Sequence, residues 1–171
     1  VSSGPLGSTD GSTRSREFFR TAAHLGIQAA EALENAHQMG VVHRDIKPSN
    51  LMVDASGQLW ITDFGLAMTG GATNLTMTGD MLGTLRYMSP EQAAGERRLV
   101  DHRTDIYSLG ATLYELLTLK PAFSGKDRRE LLAKVIDDEP TPPSQLNEAI
   151  PTDLEAIVRK AMAREPQARY A

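Results

Sequence analysis

Two short polar stretches of this sequence carry side chains that could do chemistry on phosphate groups. The first is HRDIKPSN at residues 43–50, and the second is DFG at residues 63–65. The amide oxygen of Asn50 and the carboxylate of Asp63 are hard oxygen ligands of the kind that suits Mg²⁺, an ion that favours phosphate as a co-ligand. The two stretches together therefore predict a magnesium–phosphate site.

The segments that follow the first stretch should position these ligands. Residues 51–53 and 59–62 have the pattern of two short strands joined by a turn. Pairing of the strands would bring the two candidate metal ligands close together. Asp45 could face the same cavity as a carboxylate base, and Lys47 would add one positive charge. This set suits phosphoryl transfer, in which positioning and charge neutralisation supply most of the catalysis.

Helices are predicted for most of the remaining scaffold. Apolar residues at helical spacing predict a helix over residues 18–39, which Gly40 would end. The strongly apolar face between Ile106 and Leu117 predicts a central, buried helix. Two further helices are expected, one around residues 131–136 with Ser124 as its cap, and one around residues 154–162 opened by a Thr152–Glu155 capping box.

Two segments lack a regular pattern. Residues 1–16 are mostly Ser, Thr, Gly and Pro, which cannot bury enough surface to offset their ordering entropy, so a flexible loop is predicted. Residues 66–91 form a long segment without clear period, and loops of this length inside compact domains are usually functional or disordered. A third polar cluster, GTLRYMSPE at residues 83–91, closes that segment.

The composition excludes several classes of protein. The chain has 171 residues, which suits one domain or part of one, and it has no cysteine, which excludes disulfides and thiolate metal sites. A net charge of -4 argues against a broad basic surface for nucleic acid. No apolar stretch approaches the roughly 20 residues that span a bilayer.

With these motifs in view, the sequence resembles the protein kinase family. The resemblance rests on five features in family order: residues 43–50 resemble the catalytic loop, residues 63–65 the metal-binding motif, residues 83–91 the end of the activation segment, residues 105–110 the start of the central helix of the large lobe, and Arg169 the arginine that pairs with Glu91. Five motifs in order, spanning nearly everything from Phe18 to Arg169, are a specific signal.

The resemblance implies a role for each matching residue. Asp45 would accept or orient the proton of the substrate hydroxyl, and Lys47 would steady the γ-phosphoryl group. Asn50 and Asp63 would hold Mg²⁺ on the phosphates of ATP. Thr84 would touch Asp45 and Lys47 and help to seat the acceptor residue.

The same resemblance implies roles outside the reacting groups. Met52, with Leu51 and Val53, would form the floor of the adenine pocket. His43 and Phe64 would pack in a hydrophobic column that supports the catalytic loop. The remaining structural residues are Gly65, Asp105 and the ion pair of Glu91 with Arg169. The other histidines, His24, His37 and His102, are predicted to lie on the surface of helices or loops.

Two details favour the serine/threonine class. Lys47 stands two residues after Asp45, and Thr84 lies in a Gly-Thr-x-x-Tyr-x-Ser-Pro-Glu segment, similar to that of bacterial serine/threonine kinases. Arg44 directly before Asp45 is typical of kinases that are regulated by activation-loop phosphorylation. A phosphate on Thr76 or Thr78 could pair with Arg44 and order the loop.

The implied fold class is α+β, mainly α-helical, and similar to the C-terminal lobe of a protein kinase with a small β hairpin at the active site. Residues 17–171 would form this large lobe, incompletely, after the loop of residues 1–16. The N-terminal lobe would be absent, because the sequence contains no Gly-x-Gly-x-x-Gly loop, no Val-Ala-x-Lys strand and no helix with the partner Glu of that lysine. We therefore expect the isolated chain to be inactive.

The predicted function is that of a serine/threonine protein kinase that transfers the γ-phosphoryl group of ATP, with Mg²⁺, to Ser or Thr of protein substrates. A bacterial signalling role in the cytoplasm is expected, with the parent protein free to be anchored in a membrane through other segments and to dimerise for autophosphorylation. Two alternatives remain: a non-catalytic kinase-lobe scaffold or docking module, and a phosphotransferase for small molecules. The intact Asp45, Lys47, Asn50 and Asp63 favour a catalytic lineage over the first, and the peptide-docking segment at residues 83–91 argues against the second.

Overall fold

A computed structural model of the chain describes residues 9–64 and 83–171. The described part is mostly helical, with one two-stranded antiparallel sheet, as predicted. Its helices are α1 Thr9–Gln38, α2 Pro90–Ala93, α3 Arg103–Thr118, α4 Arg128–Asp137, α5 Pro143–Leu146 and α6 Thr152–Ala161; its strands are β1 Leu51–Val53 and β2 Leu59–Ile61; and two 3₁₀ turns cover Pro48–Asn50 and Pro166–Ala168. No helix in these ranges is both long enough and apolar enough to cross a membrane.

Helix α3 is the centre of the structure, as its apolar sequence predicted. It packs against α1 on one side and against α6 on another. Its aromatic residues Tyr107 and Tyr114 are almost completely buried and belong to a first core cluster, which also includes Phe19 and Ala22 of α1. A second core cluster joins the apolar stripe of α1 to the region of the hairpin through five buried residues: Ala29, Leu33, Ile46, Leu59 and Leu109. These two cores fix the positions of α1, α3 and the hairpin relative to one another.

The hairpin has the register Leu51↔Ile61, Met52↔Trp60 and Val53↔Leu59. Its turn is held by the Asp54 carboxylate, which accepts hydrogen bonds from the backbone N–H groups of Ser56 and Gln58 and from Nε1 of Trp60. Because partners in a ladder share a face and the faces alternate along a strand, Met52 and Trp60 lie together on one side. Both are 59% exposed, whereas Leu59 on the other face is buried.

The prediction of a loop over residues 1–16 is wrong for residues 9–16, which belong to α1. The composition argument counted the side chains that this segment could bury. It missed that adding residues to an existing helix avoids the costly step of nucleation. A long helix that already packs on α3 can therefore extend through a polar stretch.

The two predicted helix caps are also wrong, although both helices exist. Asp127, not Ser124, caps α4, and its side chain accepts from the backbone N–H of Glu130. Helix α6 begins at Thr152 with Pro151 at the N-cap, and the Glu155 carboxylate accepts instead from the backbone N–H of Ser144. The predictions for Gly65, Thr76 and Thr78, with most of the segment 66–91, lie outside the described residues.

Candidate active site

The loop between α1 and the first 3₁₀ turn carries the predicted catalytic residues. Helix α1 gives way to this loop at Gly40, whose φ of 77° lies in the left-handed region that glycine tolerates. Ile46 enters the core beside Leu33 and is only 1% exposed. This buried side chain anchors the loop between Asp45 and Lys47, which remain partly exposed.

Asp45, Lys47, Asn50 and Thr84 form one hydrogen-bonded cluster. Lys47 Nζ donates to Oδ2 of Asp45 at 2.8 Å and to Oγ1 of Thr84 at 3.1 Å. Asn50 Nδ2 donates to the backbone carbonyl of Asp45 at 2.8 Å and to its Oδ2 at 3.3 Å. The predicted proximity of Thr84 to Lys47 is thus observed, and the structure links Thr84 to Asp45 through the lysine.

The second oxygen of the Asp45 carboxylate is differently placed. Both Lys47 and Asn50 donate to Oδ2, and no residue in the described ranges donates to Oδ1. The Asp45 side chain is about 30% exposed, so Oδ1 is accessible to a further donor. This geometry leaves one carboxylate oxygen to accept a proton or a hydrogen bond from another molecule.

Asp63 directly follows Thr62, the residue whose backbone is hydrogen-bonded to Asn50 at the end of the hairpin. The Thr62 backbone N–H donates to the Asn50 carbonyl at 2.9 Å, which extends the ladder past the strands. Asp63 itself has a φ of 63°, an uncommon left-handed conformation for a residue other than glycine, and it is exposed. Among the described residues its carboxylate has no hydrogen-bond partner, so both of its oxygens can serve as ligands.

The two predicted metal ligands fit Mg²⁺ by their chemistry. The amide nitrogen of Asn50 donates to Asp45, while the only contact of the Asn50 Oδ1 in the described ranges is the hydroxyl of Ser49 at 3.4 Å. Mg²⁺ takes few ligands from the protein and fills the rest of its coordination shell with water and phosphate oxygens. One amide oxygen and one carboxylate fit this pattern. The described residues hold no group of three His, Cys, Asp or Glu side chains that would suit a metal bound by protein alone.

Both ring nitrogens of His43 contact backbone groups. Its Nδ1 accepts from the backbone N–H of Asp45 at 3.2 Å, and its Nε2 faces the carbonyl of Thr62 at 2.8 Å. These two contacts select the neutral tautomer with the proton on Nε2. Its ring packs edge-on against Phe64 at 4.7 Å between centroids, which is the predicted contact.

The backbone of the same loop is tied to helix α3 through Asp105. The carboxylate is fully buried and accepts from the N–H groups of His43 at 2.8 Å and Arg44 at 2.7 Å. It also pairs with Nε2 of His37 at 2.8 Å. The prediction that His37 lies on the surface is therefore wrong. Its position four residues after the buried Leu33 places it on the same face of α1, a signal that could have identified it.

Glu91 and Arg169 form the ion pair that the resemblance implied. Two guanidinium–carboxylate contacts of 2.8 Å join them, and both side chains are buried. Thr104 Oγ1 also donates to Glu91. Burial alone would raise the pKa of Glu91, but the hydrogen bonds from Arg169 and Thr104 outweigh it and hold that pKa below its usual range. The pair links the start of α2 to the chain just beyond the last 3₁₀ turn.

Helix α2 also contacts the catalytic loop. Ser89 and Gln92 form a capping box at its start, which the sequence reasoning did not identify. Gln92 Nε2 donates to the Arg44 carbonyl at 3.0 Å. Arg44 is thus bonded through its N–H on one side and its carbonyl on the other, while its side chain is exposed.

The three hairpin residues that were expected to form the floor of the adenine pocket do not share one face of the sheet. Met52 lies on the open face beside Trp60, but Leu51 and Val53 lie on the opposite face of β1. These two line an apolar pocket of about 400 Å³ together with Leu25 and Leu59. Strand alternation therefore leaves Met52 as the one member of the three on the open face.

Comparison with known families matches residues 12–171 to the protein kinase domain family. The chain therefore belongs to the protein kinase family. It is 43% identical over 150 residues to the serine/threonine-protein kinase PknB of Mycobacterium leprae, which covers 87% of this chain and 24% of that protein. It is 42% identical over 153 residues to PknB of Mycobacterium tuberculosis strain H37Rv, covering 88% of this chain and 24% of that protein.

A third relative comes from another genus. The chain is 44% identical over 148 residues to the probable serine/threonine-protein kinase SCO3848 of Streptomyces coelicolor, covering 85% of this chain and 22% of that protein. The chain thus spans about a quarter of the length of these curated relatives.

Proposed function

We propose that this chain provides the catalytic-loop and metal-binding side of the active site of a serine/threonine protein kinase. The observation that carries the proposal is the cluster of Asp45, Lys47, Asn50 and Thr84, in which Asp45 presents Oδ1 without a described donor. The residues are of the types that phosphoryl transfer uses, and they are in mutual contact. The names of the relatives, all serine/threonine-protein kinases, agree with this class.

The proposed reaction assigns one task to each side chain. Oδ1 of Asp45 accepts the hydrogen bond of the substrate Ser or Thr hydroxyl and orients its oxygen, a contribution typically worth about 10²–10⁴-fold. Lys47 donates to the γ-phosphoryl oxygens. Its hydrogen bond to Thr84 holds the amine on the side of the site where the acceptor Ser or Thr binds. These groups act by position and charge, which supply most of the catalysis in this reaction class.

Asn50 and Asp63 are the residues that would hold Mg²⁺ with ATP. The ion supplies charge neutralisation on the phosphate oxygens when it is bound. The chain's own part is to hold the Asn50 amide by its nitrogen, which donates to Asp45, so that the amide oxygen is the atom left to serve as the ligand. Met52 on the open face of the hairpin would contact the adenine ring.

Residues 17–171 would form the large lobe of the kinase, and Arg44 would connect it to regulation. The Arg44 side chain is exposed while its backbone is held on both sides. A phosphate on Thr76 or Thr78 would find this guanidinium as a partner and would order the intervening segment. Substrates would be proteins with Ser or Thr acceptors, and autophosphorylation between two copies would supply the activating phosphate.

The test is phosphate transfer by the natural protein that contains this chain, expressed at its full length. With radiolabelled ATP, Mg²⁺ and a generic protein substrate, we expect label on Ser and Thr, and we expect Asp45→Asn to lower the rate by about 10²-fold or more. Asp153→Asn, the same chemical change at an exposed position in α6, should leave the rate unchanged. Label that is equally fast with Asp45→Asn, or no Mg²⁺-dependent transfer at all, would refute the proposal.

A further inference from the structure

The turn around Arg86 is anchored by the residues on both sides of it. The Leu85 side chain is buried in the first core cluster. The Tyr87 N–H donates to the Thr84 carbonyl at 3.2 Å, and the Tyr87 hydroxyl donates to Oε2 of Glu115, in α3, at 2.7 Å. Arg86 therefore lies on a backbone whose position is set by its neighbours.

The guanidinium of Arg86 lacks an acceptor. Within residues 9–64 and 83–171, its Nε is the one enclosed side-chain nitrogen or oxygen without a hydrogen-bond partner. No acidic side chain of these ranges forms an ion pair with it, and Glu115 contacts Tyr87 instead. A cation that is partly withdrawn from water is costly unless an anion compensates it.

Part of the Arg86 side chain remains open to other molecules. The residue as a whole is partly exposed, although its Nε is enclosed. A guanidinium has donors and no acceptor, so a group that completes it must supply acceptor oxygens. The anionic acceptors that a protein substrate carries are the carboxylates of Asp and Glu, which match the fork of an arginine.

Arg86 also lies close to the place where the acceptor residue would bind. Thr84, two positions earlier in the chain, accepts from Lys47 Nζ at 3.1 Å, and the same amine donates to Asp45 at 2.8 Å. Two residues span at most about 7 Å of chain, and the arginine adds the length of its own side chain. A substrate whose hydroxyl meets Asp45 therefore passes Arg86 within a few residues of its acceptor.

We propose that Arg86 recognises an acidic side chain of the protein substrate. The Asp or Glu that it contacts lies within about four residues of the acceptor, since an extended chain rises roughly 3.3 Å per residue. The inference deepens the proposed function and rests on it for the place of the acceptor at Asp45. Arg86 contacts the substrate in this scheme but takes no part in phosphoryl transfer, so its loss should change the choice of substrate and spare the reaction.

Peptide substrates test this choice in the full-length natural protein that contains the chain. Each peptide carries one Thr acceptor and a single Glu at one flanking position, and its matched peptides carry Gln or Lys at that position. The readout is kcat/KM for each peptide. Arg86→Gln removes the charge and Arg86→Glu reverses it. Arg97→Gln makes the first change at an exposed arginine outside residues 83–91 and is the control.

We expect the original protein to prefer Glu over Gln by about fivefold to tenfold at one or two positions, between the effects of an exposed ion pair and of a buried charged hydrogen bond. Arg86→Gln should lose this preference while its kcat/KM on the Gln peptide stays within about twofold of the original, because the reacting groups are intact. Arg86→Glu should prefer Lys at the same position. Arg97→Gln should behave like the original protein.

Three results would overturn the proposal. They are an original protein that prefers Glu at no position, a preference that persists in Arg86→Gln, and an equal loss of kcat/KM on the Glu and Gln peptides in Arg86→Gln, which would assign Arg86 a structural role. Each of them leaves phosphate transfer by the original protein in place and so leaves the proposed function standing. Absence of transfer to every peptide and to the generic protein substrate would refute the proposed function, and this inference with it.

Discussion

At the scale of single residues, some carboxylates are fully hydrogen-bonded to protein groups, whereas others have an oxygen that no described residue contacts. Asp105 and Glu91 are buried with every described contact directed at protein groups. Asp45 and Asp63 are more exposed, and each presents at least one oxygen that no described residue engages. Paired carboxylates stabilise the scaffold, and unpaired ones remain for a metal or a substrate.

The Glu91–Arg169 pair predicts a specific dependence of stability on pH. The pKa of Glu91 is lowered in the folded chain, so between its folded and unfolded pKa values the unfolded chain binds more protons. Its contribution to the free energy of unfolding is therefore complete above about pH 4.3, the usual pKa of Glu, and is lost as the pH falls through the folded pKa. Acid should weaken the fold through this pair.

Urea unfolding from pH 7 to pH 3 measures this effect. Glu91→Gln should cost about 3–5 kcal/mol at pH 7, because it leaves the Arg169 guanidinium buried without its counter-charge. The difference between the original chain and this variant should narrow below pH 4.3. Glu148→Gln, at an exposed position, is the matched control and should run parallel to the original chain. A gap that stays constant with pH would contradict the assignment.

At the scale of elements, the close packing of α3 on α6 depends on a glycine. A Cβ added to Gly110 in α3 would lie 2.8 Å from Cβ of Ala161 and 2.9 Å from Cγ of Met162. A Cβ on Gly26 in α1 would meet only the ends of the flexible Leu113 side chain, at 3.3 Å. Two helical glycines thus differ in what surrounds them, although alanine would raise the helix propensity at both.

These two glycines provide a matched pair of substitutions. Gly110→Ala should destabilise the chain by about 1–2 kcal/mol, because overpacking costs 1–3 kcal/mol and exceeds the gain of up to about 1 kcal/mol in helix propensity. Gly26→Ala should change stability by less than about 1 kcal/mol, since Leu113 can shift by a few tenths of an ångström. Thermal melting of both variants measures the difference. Equal melting temperatures would show that α3 and α6 separate easily.

At the scale of the whole molecule, the hairpin presents an open side. Met52 and Trp60 are paired across the strands, and each is 59% exposed. The opposite face packs on the core that joins α1 and α3. A nucleotide placed against Met52 would therefore contact this exposed face of the hairpin.

The prediction at this scale is that residues 1–171 alone do not transfer phosphate. The polypeptide has no glycine-rich loop and no Val-Ala-x-Lys strand to hold the ATP phosphates, so Asp45 and Lys47 would lack a positioned substrate. The assay proposed above, applied to purified 1–171, should give no label above background, while circular dichroism shows folded helices. Mg²⁺-dependent transfer by 1–171 that disappears in Asp45→Asn would contradict it.

The features that the sequence alone determined are local ones. The hairpin, the stop at Gly40 and the positions of the longer helices follow from residue spacing, because periodicity of 2 or 3.6 residues is a property of neighbouring positions. The motif around Asp45 and its meeting with Asn50 were predictable for the same reason, since only five positions separate them. The pairing of Glu91 with Arg169, 78 positions apart, came from the resemblance to a family and not from spacing.

The tertiary structure alone decided which polar groups are buried together. The sequence reasoning placed His37 on the surface, but the packing of α1 on α3 brings it to Asp105 and makes it nearly inaccessible. It likewise grouped Leu51 and Val53 with Met52, although alternation along β1 turns them to opposite faces, and the packing on α1 and α3 decides which of the two faces is covered. Burial and contact depend on which elements meet, and a partner 68 positions away leaves no periodic signal in the sequence.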